Sequence, residues 1–258
     1  MYRNIPSMAA LLLCVGGSGA SAQDLLRVIN NPDADRTVTV SIGDTEKTGT
    51  DGQTSDSQSL SLGFSNPVND RLSTTFGLSF TTATSTTPSV MGQTDASALS
   101  GRIGLTAKVG SYNTSLAAVA FANQLESDIT GSGQVSDAQT SGFAVGISQP
   151  VPLGATTFSS FALTYVGVPS EDTESLTLSS TISHRLTPDW TLIGGVTARW
   201  SNQSVNLDGD TEQQSLRLGA AYRVNERVTV GLDTTYGLSQ DGDDFGLRLV
   251  ARFTIPGA

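Results

Sequence analysis

The sequence contains little cysteine, little histidine and little charge. Its 258 residues include one cysteine and one histidine, and charged residues make up only 15% of them. The cysteine, Cys14, lies in an apolar run near the start, so the rest of the chain has no thiol for a disulfide or for thiol catalysis. The formal net charge of -10 argues against nucleic acid as a partner. No run of about 18 apolar residues follows residue 22, so no transmembrane helix is expected.

The first 22 residues have the pattern of a secretory signal peptide. Arg3 supplies a positive start, residues 8–15 form a short apolar core, and Ala-Ser-Ala at 20–22 fits the small-x-small cleavage pattern. Residues 1–22 are therefore predicted to be a cleavable signal peptide. Residues 23–35 are short and polar, and they are interpreted as a tail or a small plug.

From residue 36 onward, apolar residues recur at every second position, beginning with Val38, Val40 and Ile42. Successive side chains of a strand point to opposite faces, so this period indicates strands with one apolar face. Phe158 and Phe161 differ in parity, which predicts a β-bulge between them. Twelve strands are predicted, near 36–43, 57–65, 71–80, 97–109, 112–125, 137–149, 156–168, 175–187, 190–202, 213–225, 228–240 and 244–255.

The links between the predicted strands alternate in length. The short ones fall at one end of the strands, at 66–70, 110–111, 150–155, 188–189 and 225–227. The mostly longer ones fall at the other end, at 44–56, 81–96, 126–136, 169–174, 203–212 and 241–243.

This pattern resembles a Gram-negative outer-membrane β-barrel of the porin-like kind, with short periplasmic turns and long external loops. The resemblance implies an all-β fold: an up-and-down antiparallel transmembrane β-barrel of about 12 strands over residues 36–258. It implies a periplasmic N-terminal segment at 23–35, location in the outer membrane and contact with outer-membrane lipid. It also leaves a homo-oligomer open, although no residue marks an interface.

A secreted β-sandwich or β-helix would also show alternating faces. The placement of charge favours the barrel, because the apolar face of the predicted strands lacks Asp, Glu, Lys and Arg except at the terminal residues Arg36 and Asp137. Trp190 and Trp200 lie on that face at opposite ends of one predicted strand, as residues of the two membrane girdles would.

The strands place their basic residues on the other face, which would line the lumen. Val224 and Val228 flank a short turn, and pairing them places Gly219 opposite Asp233, with Asp233 diagonal to Arg217. A similar register predicts that Arg248 and Arg252 approach Asp233 from the next strand. The residues predicted to line the lumen are Arg71, Arg102, Lys108, Arg185, Arg199, Arg217, Arg223, Asp233, Arg248 and Arg252.

Two interpretations of this basic lumen compete. As an open channel it would raise the local concentration of anions and pass small polar or anionic solutes by passive diffusion. In the other interpretation the lumen is filled, and its arginines stabilise the inner wall instead of attracting solutes. Other inward positions are small, among them Ser59, Gly77 and Gly219, which would leave volume unfilled and favours the channel. The alternative function is a non-conducting structural or adhesive barrel that acts through its acidic external loops.

Most of the acidic residues fall in the predicted external loops. Acidic clusters near 171–174, 208–212 and 241–244 could gather divalent cations, because carboxylate oxygens are the ligands that Ca²⁺ and Mg²⁺ prefer. The simpler interpretation is that they are solvated loops, and no metal site or cofactor is predicted.

Enzymatic activity is not expected. The single histidine, His184, shares parity with the apolar face, and the adjacent Ser183 points the other way. Ser180 shares the face of His184 but lies about 13 Å away along the strand, too far for a base to activate a nucleophile.

Overall fold

The computed structural model describes residues 36–49, 54–87, 92–110, 114–129, 134–202, 211–238 and 242–256. The predicted signal peptide and the segment 23–35 lie outside the described residues. A single turn of 3-10 helix, Pro169–Glu171, accompanies the strands. Within the described ranges, no helix is long and apolar enough to cross a membrane.

Twelve antiparallel strands form one closed barrel, and each strand pairs with its neighbours in sequence. The predicted strand number, fold class and up-and-down topology are confirmed. The strands are β1 Arg36–Gly49, β2 Thr54–Pro67, β3 Leu72–Thr87, β4 Gly92–Val109, β5 Thr114–Ile129, β6 Gln134–Pro152, β7 Thr157–Val168, β8 Thr173–Arg185, β9 Trp190–Ser201, β10 Thr211–Arg223, β11 Val228–Gly237 and β12 Gly242–Ile255.

The barrel closes where the last strand meets the first. Strand β12 pairs with β1 in one unbroken register from Arg36 opposite Ile255 to Gly49 opposite Gly242. Closure leaves no strand edge unpaired, which a sheet needs if it is to cross lipid.

The short links collect at one end of the barrel, called the short-turn end below. In three of them a side-chain oxygen accepts two backbone N–H groups of its own turn. The Asn69 amide oxygen accepts from residues 71 and 72, both at 2.9 Å, and that of Asn225 accepts from residues 227 and 228, at 2.8 and 2.9 Å. The Thr187 hydroxyl accepts from residues 189 and 190. These local bonds explain why such short sequences reverse the chain.

The outer face of the barrel is apolar. Large hydrophobic side chains are exposed on every strand, at the alternating positions that the sequence predicted. Trp190 and Trp200 lie on this face, near the two ends of β9, and the Trp190 ring packs on Tyr222 at 4.9 Å between centroids. Ten residues of a strand tilted by about 40° span about 25 Å along the barrel axis, the height of a membrane-facing apolar band.

At the opposite end, called the long-link end, the strands continue further than predicted. The links predicted at 44–56, 81–96 and 126–136 are mostly strand, and only 50–53, 88–91 and 130–133 separate the strands there. These extensions are rich in Ser, Thr, Asp and Gln, so they lack the apolar alternation that marks the rest of each strand. The alternation of apolar residues therefore stops at the edge of the apolar band, whereas the pairing of the strands continues beyond it.

The bulge predicted near Phe158 and Phe161 is wrong. Strand β7 pairs in unbroken register with both β6 and β8 through this segment. Phe158 lies opposite the buried Ser183 on the inner face, whereas Phe161 is 50% exposed on the outer face. The two phenylalanines simply occupy opposite faces of a regular strand.

Candidate functional site in the barrel lumen

Charge on the inner face of the barrel is strongly positive. Each charged residue of this face has the opposite parity in its strand to the exposed outer-face residues, and so points inward. Nine cations against two carboxylates give the inner face of the described strands a net charge of +7. The basic residues are Lys47, Arg102, Lys108, Arg185, Arg199, Arg217, Arg223, Arg248 and Arg252, and the acidic ones are Asp233 and Asp244.

Arg71 does not belong to this set. It was predicted to face the lumen from the start of a strand, but β3 begins at Leu72, and Arg71 is exposed in the preceding turn. Its backbone N–H donates to the Asn69 side chain at 2.9 Å. The turn chemistry of Asn69 therefore moves the strand start by one residue, and Arg71 lies at the rim.

Two arginines hold the most deeply buried carboxylate of the inner wall. Asp233 is 2% exposed, and each of its oxygens accepts from both Arg217 and Arg248. The five guanidinium nitrogen–oxygen distances range from 3.0 to 3.3 Å. We call these three residues the Arg–Asp–Arg cluster. Its net charge is +1, because one carboxylate offsets one of the two guanidinium groups.

The register produces this cluster as the sequence predicted. Gly219 lies opposite Asp233, which makes Arg217 a diagonal neighbour, and Arg248 lies directly opposite Asp233 on the other side. Arg252 is different: it lies opposite Thr229, four positions and about 13 Å along the strand from Asp233. The structure therefore brings Arg248 to the cross-strand position beside the carboxylate, but not Arg252.

One inward ion pair was not predicted from the sequence. Lys47 and Asp244 lie opposite each other on β1 and β12, with Nζ 3.1 Å from Oδ2. Both residues fall within or beside links predicted to be loops, so neither was assigned a face. Each side chain remains about one third exposed, so this pair is far better hydrated than the Arg–Asp–Arg cluster.

Glycines on the inner wall provide the space into which larger neighbours fold. A Cβ at Gly77 would lie 2.3 Å from the Nε of Arg102, and a Cβ at Gly219 would lie 2.8 Å from that of Asp233. Similarly, a Cβ at Gly142 would lie 2.5 Å from the ring of Phe121. The prediction that Gly77 and Gly219 leave volume unfilled is therefore wrong at these positions. Large side chains instead lie flat along the wall.

Other inward basic residues lie nearer the ends of their strands. Arg199 donates to the Ser175 hydroxyl at 3.5 Å on the long-link side. Arg185 lines a small cleft with Phe158, Ser183 and Thr191 near the short-turn end. At the short-turn end, Arg223 is the last residue of β10 and Lys108 lies one residue from the end of β4. Arg252 lies three residues from the end of β12. The lumen is thus basic from that end to mid-height.

His184 faces outward, as predicted, near the short-turn end. Its Nδ1 lies 2.8 Å from the hydroxyl of Thr157 on the neighbouring strand. Ser183 is buried on the inner face. Among the described residues, no group of three or more His, Cys, Asp or Glu could hold a metal ion.

Acidic residues line the outer face of the strand extensions. Three like-charged pairs lie directly opposite each other: Glu46 with Asp56, Asp95 with Asp128, and Glu126 with Asp137. All six are exposed, so bulk water hydrates them.

In the predicted acidic cluster at 171–174, Glu171 and Asp172 lie between β7 and β8, and Glu174 is the second residue of β8. Partial burial raises the pKa of the Glu171 carboxyl. Asp208, Asp210 and Asp241 of the other two clusters lie outside the described residues.

Solved outer-membrane barrels have the same fold. The translocator domain of the autotransporter NalP from Neisseria meningitidis matches with a TM-score of 0.73 at 11% identity, over 96% of this chain and 98% of that chain. The β domain of the Bordetella autotransporter Brka matches with a TM-score of 0.64 at 12% identity, over 86% of this chain and 100% of that one. An outer-membrane channel from Pseudomonas putida F1 matches with a TM-score of 0.61 at 14% identity, over 86% and 96%.

No protein-family model matches the chain, and no curated protein matches its sequence. At 11–14% identity, the structural similarity establishes the fold alone. The chain is a closed β-barrel of the outer-membrane kind, as its alternating pattern suggested.

Proposed function

We propose that this protein is an outer-membrane channel for passive diffusion of small polar or anionic solutes. The observation that carries the proposal is the inner face with nine cations and two carboxylates. A surplus of seven positive charges in a confined space raises the local concentration of anions and disfavours cations. The predicted signal peptide and the apolar outer band support export and insertion into the outer membrane.

The arrangement of the side chains supports an open lumen. Arg102 folds over Gly77 and Asp233 over Gly219, so both follow the wall. The diameter of a barrel grows with its strand number, and twelve is intermediate between the eight strands of barrels that side chains can fill and the sixteen of open porins.

The test is the reversal potential of the refolded barrel in a planar bilayer under a potassium chloride gradient. We expect steady conductance and a reversal potential on the anion-selective side. Arg199→Glu should lower the anion-to-cation permeability ratio about two- to threefold, because it replaces a lumen cation by an anion. Arg227→Glu is the matched control, since Arg227 lies exposed in a turn. A folded barrel without conductance, or an equal effect of both variants, would contradict the proposal.

The like-charged pairs on the strand extensions favour the alternative function, a non-conducting structural or adhesive barrel. Glu46–Asp56, Asp95–Asp128 and Glu126–Asp137 form an exposed acidic surface beyond the apolar band. Such a surface suits adhesion or envelope stability in a non-conducting barrel. Replacing all six residues by their amides should abolish that role and leave conductance unchanged, so the two functions are separable by experiment.

A further inference from the structure

The Arg–Asp–Arg cluster and a group of apolar side chains occupy opposite sides of the lumen at the same height. Strand β5 lies six strands from β11 in either direction, so the two face each other across the barrel. Arg217, Asp233 and Arg248 lie five to seven residues from the short-turn end of their strands, and so do Val119 and Phe121 of β5. The Arg–Asp–Arg cluster therefore faces Val119 and Phe121 across the lumen.

The side opposite the cluster is a continuous apolar surface. Across the strands, Val119 of β5 pairs with Ala144 of β6, which pairs in turn with Val166 of β7. Phe121 lies on the same face of β5, two residues from Val119. We call these four residues the apolar wall. All four are half-buried, so each retains accessible surface on the inner face. Gly142 allows the Phe121 ring to lie along the wall.

The inner face of these three strands carries no charge over its described length. It consists of small, hydroxylated or apolar residues and one asparagine. By contrast, each strand from β8 to β12 carries at least one inward charge, and so does the adjacent β4, whose Arg102 lies directly opposite Phe121. The inward residues of β5–β7 are Ser115, Ala117, Val119, Phe121, Asn123, Leu125, Ser127, Ser136, Ala138, Thr140, Gly142, Ala144, Gly146, Ser148, Pro150, Phe158, Ser160, Ala162, Thr164, Val166 and Val168.

We infer that the lumen prefers amphiphilic anions, which are small carboxylates with an apolar or aromatic body, over equally charged hydrophilic anions. The inference rests on the proposed channel function and names its substrate class. A carboxylate is attracted electrostatically by the net positive Arg–Asp–Arg cluster, whose two arginine side chains are 13% and 12% exposed. An apolar body gains further by leaving water against Val119 and Phe121. A polyhydroxylated anion gains only the electrostatic part.

The experiment compares two monocarboxylates, benzoate and gluconate, as blockers of chloride current through the refolded full chain in planar bilayers. Chloride conductance is recorded first in each membrane, and the block is then titrated. We expect benzoate to half-block at a concentration about tenfold below that of gluconate, a ratio that corresponds to about 1.4 kcal/mol. Equal half-blocking concentrations with normal chloride current would overturn the inference and leave the channel proposal standing. Absence of chloride current from a folded barrel would overturn both.

Two variants locate the preference on the apolar wall. Phe121→Ser should reduce the benzoate-to-gluconate ratio from about tenfold to about twofold. Phe158→Ser is the matched control, because Phe158 also points inward but lies near the short-turn end, and it should preserve the ratio. Unchanged heat-modifiable gel mobility and unchanged chloride conductance show that each variant is folded. A tenfold preference that survives Phe121→Ser would overturn the assignment to this wall.

Discussion

The inner and outer faces of the same strands arrange charge in opposite ways. On the inner face, Asp233 is held between Arg217 and Arg248 and is 2% exposed. On the outer face of the extensions, Asp95 lies opposite Asp128, and both are exposed. A charge removed from bulk water needs a partner of opposite sign, whereas hydrated like charges repel only weakly. Burial, more than the number of charges, therefore decides which arrangement the barrel can accept.

Removing the buried carboxylate should have the largest effect. Asp233→Ala leaves two guanidinium groups facing each other with little access to water. We expect it to lower the free energy of unfolding by about 3 kcal/mol. Asp244→Ala is the control, since it breaks a partly exposed ion pair with Lys47 and should cost less than about 1 kcal/mol. Equilibrium denaturant unfolding in lipid vesicles measures both, and similar losses would show that burial does not separate the two pairs.

Glycine substitution extends the comparison to packing. Gly142→Ala would place a Cβ 2.4 Å from the carbonyl oxygen of Gly167 and 2.5 Å from the Phe121 ring. We expect a loss of about 1–3 kcal/mol in the free energy of unfolding, because the backbone oxygen has little freedom to move. Gly101 is the outward control: its nearest neighbour would be Leu78 at 3.8 Å, so Gly101→Ala should change stability little. The same unfolding measurement applies, and equal losses would refute close packing on the inner wall.

The smallest effect should come from relieving repulsion on the outer face. Asp128→Asn removes one charge of the Asp95–Asp128 pair and should raise the free energy of unfolding by about 0.3–0.5 kcal/mol at low salt. The gain should vanish near 1 M salt, where the Debye length is about 3 Å. Asp44→Asn is the control, because Asp44 lies opposite Gln58 and Leu247 and has no like-charged cross-strand partner. A gain of equal size for Asp44→Asn would point to net charge, not to the pair.

Sequence reasoning recovered the features that depend on period two and on short turns. The alternation of Val38, Val40 and Ile42 and its later counterparts identified twelve strands and their outer faces. The short turn at 225–227 fixed the register that places Gly219 opposite Asp233. A turn of known length leaves little freedom of register, so this contact could be predicted without a structure.

What the sequence did not reveal depends on pairing across strands that long links connect. The ion pair of Lys47 with Asp244 joins the first strand to the last, and no local pattern indicates it. The packing of Phe121 on Gly142 joins β5 to β6 across residues 130–133, and it needs the register that the structure supplies. Polar strand extensions were interpreted as loops for a related reason, because a strand with water on both faces has no alternation to detect.

The pairing of β12 with β1 also bears on biogenesis. The partners Arg36 and Ile255 stand further apart in sequence than any other pair of the barrel, so this seam has the largest loop-closure cost and can form only after the C-terminal strand has been synthesised. Until then, the first strand presents an open edge ready for hydrogen bonding. An intermediate that lacks this seam is therefore open to β-augmentation by other chains, and truncation within β12 would leave that vulnerability permanent.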